Sequence, residues 1–219
     1  MAAHTKNALE AARIILDSDA VYTRTSGDPF FFSSGWASPV FVDIKRLISL
    51  PAARERLIAL SLDTIAKEFE GAAFAQIAGC ELAGVPFAAI MADRLGLPLV
   101  VAMKQGKGFG RLAHFEGSFA PGTATLLVDD LTTDGRTKAT FKGALEAAEA
   151  NVVGVFVILD YGVFPAAPQI TSLVSLPDIL HVAERDKVLE AGTIKELKAF
   201  AAAAPQWSRR NGGVGAIPT

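Results

Sequence analysis

Residues 125–138, TLLVDDLTTDGRTK, constrain the fold more than any other stretch of the chain. Leu126, Leu127 and Val128 form a short apolar run without helical periodicity, which suits a strand buried on both faces. Asp129 and Asp130 follow where such a strand leaves the core at its carboxyl end. A hydroxyl-rich turn with one glycine comes next: Thr132, Thr133, Asp134, Gly135, Arg136 and Thr137. It opens into a helix-like segment, 138–150. Strand, acidic pair, turn and helix in this order place a ligand at the carboxyl edge of an α/β sheet. Backbone N–H groups of the turn and helix start attract an anion, and the threonines add hydroxyl donors. The two aspartates can accept hydrogen bonds from sugar hydroxyls or hold a hydrated Mg2+. A phosphate beside a ribose satisfies both halves. The competing reading is a solvated Asp-Asp loop at an ordinary helix start.

A chain of 219 residues, 51% hydrophobic and 20% charged, is expected to be one globular domain with a large core. Residues 1–20 lack a leader pattern, and no apolar run reaches membrane-spanning length. A net charge of −2 argues against nucleic acid as a bulk electrostatic partner. Cys80 is the only cysteine, so neither an intrachain disulfide nor a cysteine metal cluster can form. A cytoplasmic protein is expected, with no membrane or nucleic-acid partner.

From the amino terminus, 7–16 reads as a first helix. Residues 26–43, SGDPFFFSSGWASPVFVD, mix aromatics with Gly, Ser and Pro; 30–32 and 40–42 each suit a strand. Two readings stand, a hairpin covering the core and a flap covering a planar ligand. Pro51 begins a helix carrying Ile58, Leu62, Ile65 and Phe69 on one face. A strand at 74–78, a tight turn at 79–84 and a helix at 85–95 give a second anion-binding turn, with Cys80 as a small buried side chain. A buried strand at 97–103 precedes a long aperiodic connection, 104–122, rich in glycine and basic residues; it reads as a lid for a polyphosphate. Further strands are expected at 152–159 and 170–176, the first delivering Asp160 and Tyr161 to the ligand edge. A helix around 193–204 and a loose tail, 205–219, complete the chain.

Alternating strands and helices imply a mostly parallel sheet flanked by helices, with a small hood from residues 1–50 in a single domain spanning 1–204. With the motifs placed on that plan, the chain resembles the type I phosphoribosyltransferases, and among them the orotate phosphoribosyltransferase family, particularly its bacterial forms. FFFSSGWASPVFVD resembles the family's base-covering segment, GCELAGVPFA its diphosphate loop, KQGKGFGR its lysine-bearing catalytic loop and LLVDDLTTDGRTK its phosphoribosyl-diphosphate signature.

The resemblance implies transfer of a phosphoribosyl group from 5-phosphoribosyl 1-diphosphate to orotate, with Mg2+ as cofactor. Asp129 and Asp130 would hold the ribose hydroxyls and, mostly through water and substrate, the metal. Residues Thr132 to Thr137, with Glu81, Leu82 and Ala83, would bind the phosphates. Lys104 and Lys107 would be catalytic, reaching the site of a neighbouring subunit in a homodimer. Ser33, Ser34, Gly35, Phe41 and Tyr161 would surround the base. The chain also departs from the family pattern. Asp134 stands at a small-residue position, where a carboxylate repels a phosphate unless it points outward with Arg136 to offset it. Met103 and Tyr161 stand where arginines are usual, and Gly108 and Phe109 where an acid and a histidine are usual. Carboxylate recognition is therefore expected to rest on neutral donors. A phosphoribosyltransferase for another base, or a non-catalytic regulator that binds phosphoribosyl diphosphate, are the alternatives.

Overall fold

Residues 4–106, 109–165 and 169–217 are described by the structure, a computed structural model. Helix α1 (Lys6–Asp17) begins where the Thr5 hydroxyl accepts the Ala8 N–H at 3.1 Å, and buries Ala8, Ala11, Ala12, Ile15 and Leu16. The hood follows. Strand β1 (Val21–Thr23) pairs antiparallel with β4 (Val40–Val42), and β2 (Phe30–Phe31) pairs antiparallel with β3 (Ala37–Ser38). A 3-10 helix (Ile44–Ser49) leads into α2 (Pro51–Glu68), with Pro51 in its first turn.

The body is built from β5 (Gln76–Cys80), α3 (Gly84–Leu95), β6 (Leu99–Ala102), β7 (Phe115–Glu116), β8 (Ala124–Thr132), α4 (Arg136–Ala147), β9 (Asn151–Asp160) and β10 (Thr171–Ser175). These strands form one sheet in the order β10-β9-β8-β5-β6-β7, parallel throughout except for β7 at one edge. Strand β8 lies inside the sheet between β5 and β9, and every residue from Thr125 to Asp130 is buried. A strand covered on both faces has no polar side to alternate with, hence the unbroken apolar run.

Strand β5 runs on through Gly79 and Cys80, and β7 lies within the connection expected to be aperiodic; three larger features also depart from the sequence reading. Strand β8 runs through the acidic pair to Thr132 instead of stopping before it, because β9 keeps pairing with it as far as Asp160. A helix absent from that reading, α5 (Leu176–Arg185), follows β10 directly. It starts at a capping box in which the Ser175 hydroxyl accepts the Asp178 N–H while Asp178 accepts the Ser175 N–H. Finally, of the segment expected as a loose tail, 205–219, the described residues to 217 include a helix and dock on the hood. After α6 (Ala191–Ala202), helix α7 (Ala204–Arg210) docks on the hood. Ala37 N–H donates to Ser208 Oγ at 2.9 Å, and Ser208 Oγ donates to the Val214 carbonyl at 2.6 Å. Val214 N–H donates to the Gly35 carbonyl at 2.9 Å, and Trp207 packs edge-on against Phe200 with centroids 5.3 Å apart. The segment's Ala, Gly and Pro content carries no periodicity; its partners lie in the distant hood. Among the described residues, no helix is long and apolar enough to cross a membrane.

Candidate active site

The carboxyl ends of β5 and β8 open under the hood into a cavity of about 730 Å3. Its floor is Asp129, Asp130 and the turn from Thr132 to Gly135, with Thr137 and Lys138 from the start of α4. The hood supplies Phe31, Phe32, Ser33, Ser34, Phe41, Lys45 and Ile48. Glu81, Leu82, Ala83 and Pro86 close one side, and Lys104 stands at the start of the connection after β6. The strand-edge placement expected from the sequence therefore brings most of the candidate residues together.

Within the turn, Gly135 adopts a left-handed conformation (φ 78°), which a Cβ would disfavour, and donates its N–H to Thr132 Oγ1 at 3.1 Å. Asp134 is buried, and its carboxylate is turned toward the hood. Oδ2 accepts the Trp36 indole N–H at 2.8 Å and Arg136 Nε–H at 2.9 Å, while Oδ1 accepts the Arg136 N–H at 3.1 Å. The Arg136 guanidinium also donates to the Ser34 carbonyl, and Thr133 Oγ1 donates to Ser34 Oγ at 3.1 Å. Arg136 thus offsets the charge, as expected, but the carboxylate points into the protein and not outward. The guanidinium is engaged in this bridge between turn and hood.

Beside the turn, the acidic pair is held as a unit. Lys138 Nζ lies 2.5 Å from Asp129 Oδ2, with both side chains 7% exposed. Asp130 N–H donates to Asp129 Oδ1 at 2.9 Å. Helix α3 starts hard against this pair: a Cβ on Gly84 would meet Asp129 Oδ1 at 2.6 Å, so only glycine fits there. Burial, and after it the Asp129 charge, push the Asp130 carboxyl up to about 7. Cys80 is buried below them, its thiol pushed up by burial first and by Asp129 second, which leaves it inert.

Other expectations are met unevenly. Glu81 accepts the Lys104 backbone N–H at 2.6 Å, joining the turn after β5 to the start of the basic connection. Lys107 and Gly108 lie outside the described residues. The remainder of the connection is not free along its length: Arg111 donates to the carbonyls of Ala148 at 2.5 Å and Phe119 at 2.6 Å, and Phe115 and Phe119 are buried. A second hollow of about 520 Å3 adjoins the first across Ser33, Ser34 and Lys104, and contains Met103, His114 and Arg136.

Tyr161 is a correction. It is fully buried, its hydroxyl accepts the Val42 N–H at 3.0 Å, and its ring meets Phe32 edge-on at 4.9 Å. It supports the hood from beneath and does not line the cavity, since its hydroxyl is held by Val42 of β4 and its ring by Phe32. Gly35 is likewise off the wall; its carbonyl is taken by Val214. The sequence reading missed Trp36, Lys45 and Lys138. Only Lys138 carried a signal: side chains in a first helical turn tilt back toward the helix start, here toward the strand end.

A parallel sheet with this acidic edge, a hydroxyl-rich turn and an aromatic hood is the plan of the phosphoribosyltransferase fold, and solved structures share it. A UMP synthase from Leishmania donovani superposes with a TM-score of 0.74 at 24% identity, over 89% of this chain and 42% of that one. An orotate phosphoribosyltransferase from Aeropyrum pernix does so with a TM-score of 0.66 at 26% identity, over 82% of this chain and 99% of the other. No protein-family model matches the chain. Among curated sequences, the orotate phosphoribosyltransferase of Cereibacter sphaeroides is 38% identical over 204 residues, 90% of this chain and 88% of the relative. That of Sinorhizobium medicae is 36% identical over 214 residues, 94% and 92% of the two chains. The chain belongs to the orotate phosphoribosyltransferase family.

Proposed function

We propose that the protein transfers the phosphoribosyl group of 5-phosphoribosyl 1-diphosphate to orotate in pyrimidine synthesis, releasing orotidine 5′-phosphate and diphosphate. The observation that carries this reading is the union, in one cavity, of Asp129 and Asp130, the turn from Thr132 to Gly135, and an aromatic hood. The relatives' names supply the base.

In the reaction, the bond from ribose C1 to the diphosphate oxygen breaks and its electron pair leaves with the diphosphate. A ring nitrogen of orotate, as its anion, forms the new bond to C1. The chain supplies position and charge. The turn's N–H groups and threonine hydroxyls hold the 5′-phosphate, and Asp129 and Asp130 accept the ribose hydroxyls. Lys104 faces the diphosphate, with Lys107 as a second cation for it in this reading, while Phe32 and Phe41, with centroids 6.4 Å apart, cover the base. Bound Mg2+ would neutralise charge on the diphosphate. Asp129 and Asp130 suit such an ion held mainly through water and substrate. Among the described residues no cluster of three or more acidic, His or Cys ligands exists, so a protein cage of the calcium kind is not what fits. A homodimer that shares the loop around Lys104 and a cytoplasmic location belong to the same reading, as does a catalytic domain spanning 1–204.

The experiment is diphosphate release from phosphoribosyl diphosphate and Mg2+ with orotate and a panel of other bases, using wild type and Asp130→Asn. Orotate-dependent release that the variant abolishes is expected. Release with a different base alone, or binding without turnover of any base, would replace this reading by one of its alternatives.

A further inference from the structure

The cavity contains a cation that neither the phosphates nor the ribose account for. Lys45 lies on the 3-10 helix Ile44–Ser49, which is fixed in place by the buried Ile44 and Leu47. Residues three apart eclipse one another in such a helix, so Lys45 and Ile48 both line the cavity, from the hood segment that directly follows β4 and its Phe41. The adjacent Arg46 is turned elsewhere, donating to the Ser18 carbonyl at 2.8 Å.

Among the described residues, the other cations of the site are already engaged or belong to the proposed diphosphate side. Lys138 is paired with Asp129, and Arg136 with Asp134. Lys104 stands beyond Glu81, where the diphosphate is proposed to leave. Among the described residues Lys45 has no ion-pair or hydrogen-bond partner, and it is exposed to the cavity and solvent. An ammonium in a cavity that Phe31, Phe32 and Phe41 also line, unmatched by any protein carboxylate among the described residues, suits a planar base that carries its own anionic group.

We infer that Lys45 is a specificity-determining residue that recognises the carboxylate of the base. The inference rests on the orotate reading above and replaces the expectation that neutral donors alone perform this task. Lys45 sets which base is held. It plays no part in phosphate binding or in the departure of diphosphate.

Equilibrium binding of orotidine 5′-phosphate and uridine 5′-phosphate tests this, because the two ligands differ only by the carboxylate. Wild type should prefer orotidine 5′-phosphate. Lys45→Gln should lose about 10- to 100-fold of that preference, the span of one charge-assisted hydrogen bond, while keeping its affinity for uridine 5′-phosphate. Lys45→Arg should retain most of it. An undiminished preference in Lys45→Gln overturns the inference. So does equal weakening of both ligands, which would move Lys45 to the phosphate side. If wild type itself shows no preference, the orotate reading fails first and the role of Lys45 with it. Lys45 is exposed, so its variants should unfold at the wild-type temperature, which a thermal melt verifies.

Discussion

Trp36 donates its indole N–H to Asp134 Oδ2 at 2.8 Å, across the boundary between the hood and the turn after β8. Both residues are buried, and Trp36 also stacks on Phe164 at 4.7 Å. A carboxylate that would repel a phosphate is thereby held by Trp36 from the hood and by the N–H and guanidinium of Arg136, and serves as a strut. The hood and the turn become one mechanical unit, with Arg136 neutralising the strut.

Replacing Trp36 by Phe should keep the aromatic stacking and remove the donor. The buried Asp134 would keep only its two bonds from Arg136, and we expect a loss of stability of about 1.5–3 kcal/mol, the worth of one hydrogen bond to a charged group. Urea unfolding measures it. The Michaelis constant for phosphoribosyl diphosphate should rise as well, because the turn loses its support. Unchanged values of both would show that the hydrogen bond is incidental.

Lys138 and Asp129 form a pair that should fail asymmetrically. Lys138→Met leaves a buried carboxylate uncompensated and should destabilise the protein by at least about 1 kcal/mol. A pair sealed from water would lose ~3–5 kcal/mol, but this one lines a cavity. Adding Asp129→Asn to Lys138→Met should restore part of the loss, since no buried charge then remains unpaired. Additive effects in this double-mutant cycle would contradict the coupling.

Asp160, at the end of β9, gives a pH dependence. Burial raises its carboxyl above the ordinary value, although the Gly162 N–H pulls the other way. The folded chain thus holds this proton more tightly than the unfolded chain does. Its stabilising contribution is complete below the unfolded carboxylate value and is lost as pH rises through the raised folded value. The melting temperature of Asp160→Asn, which keeps an acceptor for Gly162, should therefore fall less than that of wild type across this window. Parallel curves would rule the effect out.

Subunit sharing of the site can be tested by complementation. Lys104→Ala and Asp130→Asn chains, each expected to be inactive, should recover partial activity when mixed, because some hybrid sites carry neither change. A chain that sediments as a monomer at working concentration, or mixtures without activity, would remove the homodimer from the proposal.

The sequence by itself determined the parallel sheet and the position of its acidic, hydroxyl-rich edge. Both follow from local information: unbroken apolar runs at 126–128 and 152–159, glycines where the chain turns, and an acidic pair followed by hydroxyls. Such patterns act within a few residues, so they survive without knowledge of the fold. The tertiary structure decided what depends on contacts between distant segments. It turned Asp134 inward onto Trp36, 98 positions away, and gave the Tyr161 hydroxyl to Val42, 119 positions away. It ordered the carboxyl-terminal segment against Ala37, 171 positions from Ser208. It brought Lys45 to the cavity from a segment with no motif. A buried polar group takes whichever partner the packing delivers, and the linear pattern carries no trace of that choice.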